Sequence, residues 1–140
     1  MKYFLFSFLF ICINSLFSQS ETSTNCISDF DTFFKEFSKN EEFQKSTIKY
    51  PLKLTYISDL ETNKIETKIY HNSKEWEFIN FSQDQKAKNR EYDQYTVSVE
   101  TYDQKAFYKL KGIDNGILVI YQFEQIDDCW YLTLIKDESA

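Results

Sequence analysis

Two glycines, one proline and one histidine are all that 140 residues contain of those types. Glycine this scarce leaves no loop that could cradle a phosphate and no dinucleotide-binding fingerprint, because both need several glycines where backbone must approach the ligand. The lone His71 stands in the turn-like stretch His71-Asn72-Ser73 with no Gly-x-Ser-x-Gly element anywhere, so Ser/His/Asp catalysis has no foothold and His71 reads as a surface residue at a strand end. A pair of Cys129 with His71 is the other nucleophilic arrangement the composition allows, and it competes with a disulfide for the same thiol. One histidine and widely separated cysteines do not make a zinc site. No metal and no cofactor are therefore expected. A basic surplus is also lacking: the net charge is −6, poorly suited to holding phosphate backbones, so nucleic acid is excluded as a partner. The one basic cluster, Lys86, Lys88 and Arg90, lies in a polar stretch and reads as a solvated loop or helix end.

What the chain does have begins at its N-terminus. Lys2 precedes the apolar run Tyr3 to Ile13, followed by Ser15, Ser18 and Ser20, the pattern of a secretory signal peptide. Asn14 interrupts the run before the ~18 residues a membrane span requires. The expected division is residues 1–18 as signal peptide, with cleavage after Ser18 or Ser20, residues 19–26 as a flexible polar leader, and residues 27–140 as a single domain. The product would be exported to the periplasm or the exterior, with no membrane span after cleavage. Neither Cys12 nor Cys26 is placed for lipidation. In an oxidising compartment the two mature cysteines, Cys26 and Cys129, are a disulfide candidate, two free buried thiols being the alternative.

Aromatic residues are abundant at 19%. Phe30, Phe33, Phe34 and Phe37 recur at i, i+3, i+4 and i+7, which predicts a helix with one apolar stripe, capped by Ser28. Asn40 is a good cap for a second short helix from Glu41 to about Thr47. Pro51 then ends helical geometry, and Leu52, Leu54 and Tyr56 alternate as a first strand. Asp59 to Lys64 is a turn and Ile65 to Tyr70 a second strand. Ser73 can cap a third helix carrying Trp76 and Ile79, or the same residues can form a strand. Residues Ser82 to Glu91, polar and without periodicity, read as a helix end running into an exposed loop. Beyond Tyr92 the period is close to two, with Tyr95 to Thr101, Ala106 to Lys111, Ile117 to Glu124 and Cys129 to Lys136 as strands. Asp114-Asn115-Gly116 is a hairpin turn whose Asn-Gly pair tolerates positive φ. On the last strand Trp130, Leu132 and Leu134 share one face.

Helices first and strands afterwards is an α+β order with helices packed on one face of an antiparallel sheet. Phe30-x2-Phe33-x3-Phe37, an acid-rich turn, Phe43-Gln44 and Ile48-x-Tyr50-Pro51-Leu52, with Trp76 and Trp130 downstream, resemble the landmarks of domain-of-unknown-function family 4348, exported proteins of Bacteroidetes bacteria. The resemblance implies a cystatin-like, nuclear transport factor two-like cone: a curved antiparallel sheet with helices across its concave face. It implies no activity.

Two functional expectations follow. The first is a non-catalytic binding or interaction module of the cell envelope, taking a small apolar ligand in the cone or an envelope protein on a sheet face, with a homodimer through such a face as a further arrangement. The second is a small cofactor-free isomerase or hydrolase using a buried carboxylate and a tyrosine, drawn from Tyr56, Tyr95, Tyr121, Glu100 and Glu124. No spacing singles out one catalytic residue. A cone filled by side chains would remove the small ligand, whereas a desolvated acid within reach of a tyrosine in a pocket would favour the enzyme.

Overall fold

The computed structural model describes residues 26–140. The expected signal peptide and most of the polar leader lie outside the described residues. Two helices come first, α1 (Phe30–Phe37) and α2 (Glu41–Ser46), then strands β1 (Ile48–Asp59) and β2 (Lys64–Tyr70). A 3-10 helix (Phe81–Asn89) follows, and β3 (Tyr95–Thr101), β4 (Lys105–Gly112), β5 (Leu118–Ile126) and β6 (Cys129–Asp137) complete the chain. The strands form one curved, unclosed six-stranded sheet in the order β2-β1-β6-β5-β4-β3. The α+β class and the helix-covered curved sheet agree with the sequence-based expectation. One pair departs from an antiparallel meander: β1 lies parallel to β6, because the chain must cross from β2 over the helical face to reach β3. Among the described residues no helix is long and apolar enough to cross a membrane.

The phenylalanine stripe closes the core. Phe33, Phe37 and Phe123 are 0% exposed, with Phe30 nearly so. Phe34, the fourth member of the stripe, is only partly buried, yet its ring centroid lies 4.5 Å from that of Tyr108. The α1 cap is Asp29, whose carboxyl accepts from Thr32 N at 2.9 Å, not Ser28 as expected. The Ser28 carbonyl instead accepts from the indole of Trp130 at 2.8 Å, tying the helix entry to β6. Asn40 caps α2 as expected, accepting from Phe43 N.

Pro51 is not the boundary between helix and sheet. β1 begins three residues earlier at Ile48, directly from the α2 cap, and Pro51 sits inside the strand after a cis peptide bond. The third helix and its strand alternative are both absent: residues 73–80 have no regular structure, and Trp76 is held there by burial and one hydrogen bond. The stretch 82–91, expected as a helix end running into an exposed loop, is largely a 3-10 helix that keeps Phe81, Asp84 and Ala87 buried. Its three-residue repeat stacks i and i+3 on one line, a period that a search at 3.6 or 2 passes over.

In the hairpin after β4 the positive φ falls on Asp114 (55°), not on the Asn-Gly pair. Gly116 is needed there for space, since a Cβ would collide with the Ala140 carbonyl. On β6 a bulge between the Phe123–Leu132 and Gln122–Leu134 pairs leaves Thr133 as the extra residue. It reverses the alternation, so Ile135 rather than Leu134 follows Trp130 and Leu132 into the core.

Cys26 and Cys129 form a disulfide with their Cα atoms 4.8 Å apart and a sequence separation of 103. It clamps the chain entering α1 to the start of β6. Replacing both by serine is expected to cost roughly 2 to 4 kcal/mol, because the unfolded chain regains the freedom of a long loop. Urea unfolding of the wild type with and without reductant measures it. A midpoint unmoved by reduction would show that the closure contributes nothing.

Candidate functional site

The 3-10 helix delivers a single acid, Asp84, to the inner face of the sheet. β3 and β4 place Tyr95 and Tyr108 on that face, since Tyr95, Val97, Ala106, Tyr108 and Leu110 occupy the alternate positions turned toward the helices. Asp84 is 8% exposed. Its two carboxyl oxygens accept from Tyr95 Oη at 2.7 Å and from Tyr108 Oη at 2.9 Å. The Arg90 guanidinium stands 5.1 Å over the Tyr95 ring, and a surface depression of about 180 Å³ opens beside the group, lined by Asp84, Gln85, Lys88, Tyr95, Thr96 and Val97. Tyr121, fully inside the same aromatic cluster, packs edge-on to Phe81 with 4.9 Å between ring centroids.

Burial raises the phenol pKa of Tyr108 and Tyr121 well above the ordinary value, with the nearby Asp84 carboxylate adding to the shift. Tyr95 is raised by the same two causes together with its hydrogen bond to Asp84. Burial pushes Tyr50 up to about 12. A folded-state pKa above the unfolded one means that the unfolded chain loses its protons first. These groups therefore contribute stability that is full below pH ~10 and is lost as pH rises beyond it. The unfolding free energy should fall steeply above pH ~10, and ultraviolet titration of the native protein should leave Tyr50, Tyr95, Tyr108 and Tyr121 protonated where exposed tyrosines ionise. A flat stability profile across that range would contradict the burial of these phenols.

Chemically the arrangement is a carboxyl already occupied by two phenol donors. It can fix the 3-10 helix to the β3–β4 hairpin, and it can shuttle a proton only if Tyr95 is released toward the depression.

The expected site residues are dispersed. Tyr56 donates to Glu66 at 3.1 Å near the far end of β1. Glu100 and Glu124 lie on the outer face, paired with Lys109 at 2.7 Å and Lys105 at 3.3 Å. Neither supplies a buried acid. His71 is exposed at the end of β2, as expected, and its backbone N donates to Glu75. The Cys129 thiol is in the disulfide, so the Cys129–His71 pair is not formed. Lys86, Lys88 and Arg90 are exposed at the end of the 3-10 helix, as expected of a solvated helix end, and two of them stand beside the group: Lys88 borders the depression and Arg90 covers Tyr95. Of the expected residues only Tyr95 and Tyr121 are brought together. Asp84 and Tyr108 were missed, and the period-three spacing of Phe81, Asp84 and Ala87 is the signal that finds the acid. Among the described residues no cluster of three or more His, Cys, Asp or Glu could hold a metal ion.

The space between helices and sheet is filled by aromatic side chains. Phe33, Phe37 and Phe123 meet there with ring centroids 5.2 to 5.8 Å apart. A second hollow, about 480 Å³, lies beyond the helical cover along the ends of β1 and β2, lined by Leu54, Tyr56, Ile57, Lys68, Asp137 and Ser139. It is a surface trough, unlike the enclosing pockets that bury most of a small ligand.

Comparison with known proteins places the fold. A protein-family model matches residues 28–138. An NTF2-like protein from Bacteroides fragilis is 22% identical over 80% of this chain and 47% of its own, with a TM-score of 0.55. The chain thus spans about half the length of that protein. A DUF4783 family protein from Bacteroides ovatus (8% identity, 76% and 90% coverage, TM-score 0.40) also matches. So does a protein of unknown function with a cystatin-like fold from Nostoc punctiforme (15% identity, 79% and 88% coverage, TM-score 0.38). No curated protein matches.

Proposed function

The chain belongs to the family whose model spans residues 28–138 and has an NTF2-like fold, and from that premise we propose that it is an exported, non-catalytic binding or interaction module of the cell envelope. The observation that carries the reading is the filled cone. With Phe33, Phe37 and Phe123 wholly buried, the space beneath the helices is core, and a partner is met on a surface outside it. Export is supported by the N-terminal apolar run and by the Cys26–Cys129 disulfide, since such bridges persist in oxidising compartments. The landmark residues Phe43-Gln44 and Tyr50-Pro51-Leu52 support membership of domain-of-unknown-function family 4348 within this fold.

One observation favours the enzyme alternative: Asp84 and Tyr95 meet beside an open depression. The two readings separate in a turnover assay on the mature protein with nitrophenyl esters and an unsaturated ketosteroid, compared with Asp84→Asn. The module reading expects no turnover that depends on Asp84. A rate that falls about 100-fold or more in Asp84→Asn, the scale of a lost acid–base group, would establish the enzyme instead.

A further inference from the structure

The outer face of the sheet carries a charge opposite to that of the whole chain. Lys49, Lys53, Lys105, Lys109, Lys111 and Lys136 all project from it, against only Glu100 and Glu124 on the strands, while the chain as a whole is at −6. Glu124 and Glu100 each hold one of these lysines in a surface pair. Lys53, Lys111 and Lys136 have no ion pair among the described residues. Between the lysines runs an apolar seam. Phe107, Ile120 and Gln122, with Glu100, Lys109 and Lys136, line a shallow hollow of about 170 Å³, and Leu134 sits beside Gln122 in the cross-strand register.

We propose that this face is the docking surface of the module and that its partner is an acidic polypeptide segment bound in extended form. The inference rests on the reading of the chain as a binding module and gives it a surface and a partner class. Spacing is the first argument. Along β4 the outward positions read Lys105, Phe107, Lys109, Lys111, one every second residue, about 7 Å apart. An extended chain repeats its side chains at that same interval, so an apolar residue over the Phe107 hollow would set acidic residues at alternate positions among the lysine ends, of which Lys53, Lys111 and Lys136 carry no ion pair among the described residues. Charge is the second argument, since opposite potentials steer association and fix register. A second copy of this chain packed face to face would set lysines against lysines, which tells against a homodimer through this surface. A lipid headgroup layer or a sulfated glycan has no side chain for the hollow, and Phe107, Ile120 and Leu134 are half-buried below the lysine ends instead of protruding to enter a bilayer.

The test uses the mature protein and a short fluorescein-labelled peptide of glutamates interrupted by leucine, followed by fluorescence anisotropy. Binding is expected at low ionic strength and should weaken as salt approaches ~0.15 M, where exposed charges are screened within about 8 Å. Lys53→Glu/Lys136→Glu should weaken it by about tenfold or more. Lys74→Glu, an exposed lysine in the loop after β2, should leave it unchanged. Circular dichroism checks that the double variant folds; if it does not, Lys111→Glu replaces it with the same expectation. The proposal is overturned by absence of binding, by an equal loss in Lys74→Glu, or by tighter binding of phosphatidylglycerol vesicles or dextran sulfate than of the peptide. A dimer in sedimentation that Lys53→Glu/Lys136→Glu dissociates would overturn it too. Asp84-dependent turnover would end the module reading whatever the peptide does, so the two failures are distinct.

Discussion

Gln44→Leu is expected to destabilise the domain by roughly 4 to 6 kcal/mol, since each buried polar group left without a partner costs about 1 to 3 kcal/mol and leucine returns only part of that by burial. Gln44 is 0% exposed, on a helix of six residues. Its amide nitrogen donates to the carbonyls of Phe37 and Ile79, both at 2.8 Å. Its amide oxygen accepts from the Trp76 indole at 2.9 Å and from Ile79 N at 3.0 Å. All the bonding capacity of the side chain is used. One residue thereby fixes the end of α1, α2 and the irregular segment 73–80 together, and that segment has no backbone ladder to hold it otherwise. Gln44→Glu retains the acceptor and loses both donors, so it should be destabilised at neutral pH and partly recover in acid, where a protonated carboxyl can donate once. Urea unfolding followed by tryptophan fluorescence measures both variants. A loss below about 1.5 kcal/mol for Gln44→Leu would mean that water replaces the amide and that the segment is not held as described.

Phe33→Ala is the second large effect, expected at roughly 3 to 5 kcal/mol. The Phe33 ring lies 5.5 Å from Phe37, 5.7 Å from Phe43 and 5.8 Å from Phe123, so its removal empties the point where α1, α2 and β5 meet. The surrounding rings belong to three elements tied down independently, by the Asp29 cap, by Gln44 and by the sheet, and they cannot all collapse into the void. The loss should therefore sit toward the upper part of that range. An unchanged melting curve would show that the stripe is not the core of this fold.

The parts of this structure that were legible in the sequence are those governed by a regular period. The stripe of Phe30, Phe33, Phe34 and Phe37 and the alternation of β4 report burial directly, and Asn40 announces its helix by local capping chemistry. Where a local device changes the period, the reading fails. The bulge at Thr133 moves Leu134 outward and Ile135 inward, and the three-residue repeat of the 3-10 helix hides Asp84 among lysines and glutamines. Phe43-Gln44 stood out by resemblance, yet nothing in the sequence tells that the amide would bond Trp76 and Ile79, 32 and 35 residues away. The acid–tyrosine group was expected on strands, where Glu100 and Glu124 face water. It is assembled instead between a helix and two strands, and only tertiary packing brings those together.

The reading of this protein stands on one claim, that the cone is packed core and not a ligand chamber. Xenon under pressure, followed by the aromatic resonances of the mature protein, tests it most directly. Wild-type signals from Phe33, Phe37 and Phe123 should not move, whereas in Phe33→Ala those of Phe37 and Phe123 should shift as the gas enters the new void. Saturable shifts of those three residues in the wild type would reveal an accessible cavity under the helices, contradict the filled cone and return the interior to consideration as a binding site.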